Sequence, residues 1–111
     1  MDRVMELAKE LQNKRYSHQD VDIQEDINVG TFKNADISGI KALAVVVYDI
    51  TTKDKPGWYV ARIFNGGQAT NCHILRRKYE EIAEDIQKAF PALVPFDPGA
   101  EDDKVIIKIW L

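Results

Sequence analysis

The chain has 111 residues, 45% of them hydrophobic and 30% charged, with a formal net charge of −3. These proportions suit one folded domain with its own core and exclude wholesale disorder. The acidic balance argues against a strong electrostatic nucleic-acid binder. Cys72 is the sole cysteine, so no internal disulfide forms, and no apolar run approaches the roughly 18–20 residues of a membrane span. Met1 opens onto a charged amphipathic segment instead of an apolar signal core. The expectation is a single α+β domain over residues 1–111, cytoplasmic, free of the membrane, and holding no metal or cofactor.

In residues 2–14, Val4, Leu7, Ala8 and Leu11 recur at helical spacing. Over 21–29 the period changes to two: Val21, Ile23, Ile27 and Val29 alternate with polar residues, as in a half-buried edge strand. Residues 30–39 read as a loop. Two segments rich in β-branched and aromatic residues, 42–50 and 58–64, flank a polar Pro-Gly turn and predict an antiparallel pair at the centre of the fold. Gly66-Gly67 marks a hairpin turn, which makes 69–75 a fourth strand. The competing reading starts a helix at Asn71. From 77 to 90, Tyr79, Ile82, Ala83, Ile86 and Phe90 form a helical stripe that Pro91 ends. Residues 91–103 are an acidic loop, and 105–111 a last strand. The expected order is α-β-β-β-β-α-β: a mainly antiparallel sheet of about five strands with two helices on one face.

Opposed residues of an antiparallel pair share a face. A symmetric Gly66-Gly67 turn opposes Phe64 to Ala69, Arg62 to Asn71 and Val60 to His73. Tyr59, Ala61, Ile63, Cys72 and Ile74 then pack beneath the helices. Trp58, Val60, Arg62, Phe64 and His73 lie on the other face. If the last strand turns Val105, Ile107, Ile109 and Leu111 to the helices, Lys108 and Trp110 join that second face. Two helices cover one face, so the other is expected to be open, aromatic and partly cationic, a surface of the kind that meets a partner.

The catalytic motifs are weak. Cys72-His73 are neighbours on a strand and point to opposite sides, so they do not make a nucleophile and base. The acidic run from Asp20 lacks the glycine and glutamate of a calcium loop, and His18, Cys72 and His73 do not have zinc spacing. Asp97, Asp102 and Lys104 have some of the ingredients of a two-metal nuclease, but Asp103 interrupts the pattern. Residues 57–64 lack the alternating aromatics of an RNA-recognition strand. Arg76, Arg77 and Lys78 form the basic cluster, at the start of the second helix, with Glu80 and Glu81 to offset them. The sequence therefore favours a non-catalytic protein that binds a protein partner or a second copy of itself through Trp58, Val60, Arg62, Phe64, His73, Lys108 and Trp110. Single-stranded nucleic acid, stacked on Trp58, Phe64 and Trp110, is the second choice. A metal-dependent nuclease is the third.

Overall fold

The computed structural model describes residues 26–111. The predicted first helix, and all but the end of the predicted 21–29 strand, lie outside them. β1 (Ile27–Asn28) leads to a 3-10 turn (Phe32–Asn34), β2 (Leu43–Tyr48), β3 (Tyr59–Asn65), β4 (Gln68–Arg76), α1 (Tyr79–Ala89), β5 (Pro95–Phe96) and β6 (Ile106–Trp110). The central strands and the helix fall where periodicity and turn residues put them. Gly66, at φ +60°, makes the β3–β4 turn and leaves 69–75 a strand rather than a helix start.

These strands form one mixed sheet in the order β1-β4-β3-β2-β6-β5. The fold is α+β as expected, but there are six strands instead of about five, and one α-helix among the described residues instead of two. β5 is a two-residue strand inside the predicted acidic loop, paired to β6 through Pro95 and Phe96. β1 joins β4 in parallel, with Ile27 beside Cys72 and Asn28 beside His73. All other pairs are antiparallel. β1 and β2 therefore run the same way and need a crossover. The 3-10 turn supplies part of it, its Thr31 hydroxyl capping Lys33 N–H and its Phe32 buried against Phe90.

The sheet has a core on each face. Under α1, Val45, Val47, Ala61, Ile63 and Ile74 meet Ile82, Ile86, Phe90 and Phe32, with Tyr59 and Cys72 at the margin. On the opposite face Ala44, Val46, Tyr48, Val60 and Phe64 pack with Ile106, Ile109 and Leu111. The predicted division of β3 and β4 between the two faces holds. Two irregularities modify the rest. Between Phe64/Ala69 and Arg62/His73, β4 takes four steps to two on β3, so Arg62 opposes His73, not Asn71, and Val60 opposes Leu75. Two extra residues keep the parity, so the faces are unchanged. Between Val47/Lys108 and Tyr48/Ile106, β6 carries one extra residue, and a single-residue bulge does exchange faces. Trp110, opposite Val45, lies in the core under α1, while Ile109 and Leu111 face away from the helix. This reverses the orientation expected for Lys108 to Leu111, whereas Ile107 packs on the α1 side as expected.

Candidate functional site

The surface expected to be open is closed. Val60, Arg62, Phe64, His73 and Trp110 are all buried, Arg62 at 4% and His73 at 2% exposure. The reason is the second core: that side of the sheet carries residues buried as deeply as those under α1. Phe64 and Trp110 are not available to stack a base. Trp110 lies in the core under α1, where Tyr79 also packs, and its buried indole Nε1 has no hydrogen-bond partner in the protein. Lys108, on the same side of β6, pairs with Asp97. Trp58 is half-buried, with the Arg77 guanidinium 3.7 Å from its ring centroid.

Arg62 lies on the face away from α1, as its register requires, but it finds an acid instead of water or a ring. Asp26, immediately before β1, takes it in a fork: Nη1 to Oδ1 at 2.8 Å and Nη2 to Oδ2 at 3.2 Å. Arg62 Nη1 also donates to the Thr70 carbonyl, inside the β4 irregularity. Lys55 Nζ approaches Asp26 Oδ2 at 3.5 Å. His73 Nδ1 lies 2.9 Å from Asp26 Oδ1, in an orientation that does not align its ring N–H for a good hydrogen bond. Burial raises the Asp26 pKa, but the Arg62 hydrogen bonds and charge, with His73 and Lys55, outweigh it and hold the carboxyl below its usual range. Burial pushes the His73 pKa down, opposed by Asp26. One sign of this cluster is local: a cation within an apolar strand must either reach water or find an acid. Asp26 itself was missed because it stands 36 residues away.

Cys72 and His73 diverge, Cys72 toward the α1 core and His73 toward Asp26. Burial raises the Cys72 thiol pKa, which suits a packing role over a nucleophilic one. The acidic loop turns on itself: Asp102 Oδ2 accepts from Gly99 N–H and Asp103 Oδ1 from Val105 N–H, while Asp49 accepts from Thr51 N–H. Asp97 pairs with Lys108 and Asp102 serves the loop's own backbone, and among the described residues no three His, Cys, Asp or Glu side chains gather for a metal ion. The basic cluster is divided as well. Arg76 pairs with Asp85 at 3.0 Å, Arg77 donates to the Gly57 carbonyl, and Lys78 caps α1 through its backbone without a side-chain bond.

Among the described residues a groove of about 350 Å³ lies open between the 3-10 turn and α1, lined by Thr31, Lys33, Arg76, Glu81, Glu84, Asp85 and Lys88. Asp85 is its inner post, accepting from Phe32 N–H through Oδ1 and from Arg76 through Oδ2. Glu84 and Lys88 form an i, i+4 pair at 2.8 Å on the rim. Glu81, Glu84, Asp85 and Lys88 make a polar stripe visible in the sequence at spacings of three and four. Its meeting with Lys33 and Arg76 depends on how the chain crosses the sheet and could not be read there.

No helix of the described residues is long and apolar enough to cross a membrane. Comparison with protein-family models, curated proteins and solved structures returned no match.

Proposed function

We propose that the protein is a non-catalytic binding protein whose partner is a protein segment carrying charges of both signs, docked in the groove between the 3-10 turn and α1. The observation that carries this reading is the groove's lining, which sets Lys33, Arg76 and Lys88 against Glu81, Glu84 and Asp85 around an open space. Juxtaposed charges of this kind give orientation and association rate more than raw affinity. Self-association through an apolar face has less support. The exposed large hydrophobic residues among those described are Ile27, Ile50 and Val94, one in β1 at one sheet edge, one beyond β2 and one before β5 at the opposite edge.

The test is affinity capture from the native cell with the wild-type chain and a Glu81→Lys/Glu84→Lys variant. Both positions are exposed, so circular dichroism should be unchanged and melting should fall only slightly, from loss of the Glu84–Lys88 pair and of the Glu81 charge in the first turn. The wild type retains a partner, more weakly as salt rises, and the variant loses it. Equal retention by both overturns the groove as the contact. A concentration-dependent dimer in light scattering would make the partner a second copy.

A further inference from the structure

The loop between β2 and β3 closes over a second, much smaller cavity, lined by Tyr48, Thr52, Asp54, Lys55, Val60 and Arg62. Its internal space is about 10 Å³, close to the least that one water molecule needs. Arg62 Nε and Thr52 Oγ1, both of residues in this lining, are buried and have no hydrogen-bond partner in the protein. Thr52 is 2% exposed although it belongs to a surface loop. The guanidinium Nε can only donate, whereas the threonine hydroxyl can donate or accept. A buried donor left unmet is costly. The pair is satisfied together by a small group that accepts from Arg62 and bonds Thr52.

Charge selects the kind of group. Arg62 and Lys55 are the cations at the cavity. Asp54 is an anion in its lining, and Asp26 touches both cations, at 2.8 Å and 3.5 Å. His73, on the far side of Asp26, is kept toward its neutral form by burial. Two positive and two negative charges leave no surplus to offset the desolvation of a halide or a metal ion. We propose that the cavity is a binding site for one neutral internal water, which accepts from Arg62 Nε and bonds Thr52 Oγ1. This water links the β2–β3 loop to the Arg62–Asp26 pair. It is independent of any partner at the groove.

Two measurements test the site. The first is a high-resolution crystal structure of the whole chain grown in bromide. It should show one isolated density peak within hydrogen-bond reach of Arg62 Nε and Thr52 Oγ1, without bromide anomalous signal. An anomalous peak makes the occupant an anion, and direct pairing of Arg62 Nε with a protein atom removes the site; either overturns the proposal. The second is oxygen-17 magnetic relaxation dispersion, which counts long-lived waters. Thr52→Val should lose one relative to the wild type, and Thr52→Ser, which keeps the hydroxyl, should lose none. An unchanged count in Thr52→Val overturns the proposal, and should that variant fail to fold, the wild-type crystal decides.

Discussion

Asp26 gathers three basic side chains, and Arg62, which is both buried and always charged, depends on it most. Arg62 is 4% exposed, while the Asp26 side chain keeps 26% of its surface, so water reaches the acid but not the base. Asp26→Ala therefore strands a buried guanidinium. It should cost about 3 kcal/mol, the low end for breaking a buried pair because the acid is partly solvated. Urea unfolding measures the loss, and Asp26→Ala combined with Arg62→Met should be more stable than Asp26→Ala alone, because the uncompensated charge is gone. The pH dependence follows from two depressed pKa values. The unfolded chain, with His73 near 6.5 and Asp26 near 3.8, takes up protons before the folded chain does. Stability is then greatest above pH 6.5, is lost as pH falls toward the lowered folded value of His73, and is lost further below 3.8 as Asp26 protonates. Urea midpoints should fall between about pH 7 and 5 in the wild type, and His73→Gln should flatten that interval. The sequence disclosed the side of the sheet on which Arg62 lies, because strand parity is local. It did not disclose its burial, because its partner is far along the chain.

At the scale of elements, strong periodicity survived and irregularity did not. β2, β3, β4 and α1 were legible within a few residues because alternation, the Gly-Gly turn and the apolar helical stripe each state a local preference. The bulge on β6 has no such signal, since only Lys108 is polar between Val105 and Leu111 and neither face is marked by alternation. What decides the matter is the neighbour: Val45 and Val47 face α1, so Trp110 and Lys108 opposite them must do so too. Trp110→Ala should thus cost about 3–5 kcal/mol. Trp58→Ala, which removes a half-buried ring and its Arg77 contact, should lose only about 0.5–1 kcal/mol of cation–π attraction besides some packing. Thermal melts of the two variants separate these outcomes, and equal losses would contradict the assignment of Trp110 to the core. At the β5 edge Pro95 removes a backbone donor.

At the scale of the molecule, the order of strands was the least legible feature, because the pairings that set it are the most distant: Val45 with Trp110, and Ile27 with Cys72. Local patterns give each strand its faces but not its neighbours. The resulting arrangement predicts an uneven distribution of stability. β2 and β3 are flanked on both sides and buried on both faces, whereas β1 and β5 are two-residue edges. Native-state hydrogen exchange should be slowest in β2 and β3, near the global unfolding limit, and fastest at the edges. The β1 edge has a further dependence. Val29 N–H donates to the His73 carbonyl at 3.0 Å, three residues beyond the Asp26 carboxylate that holds this segment to Arg62, Lys55 and His73. If that clasp secures the edge, Asp26→Ala should accelerate exchange at Val29 by as much as at Val46, because the local opening that frees Val29 breaks the same Asp26 contacts as global unfolding does. Acceleration at Val46 with none at Val29 would mean that β1 opens without breaking the Asp26 contacts, and that Asp26 stabilises the sheet as a whole instead of fastening its edge.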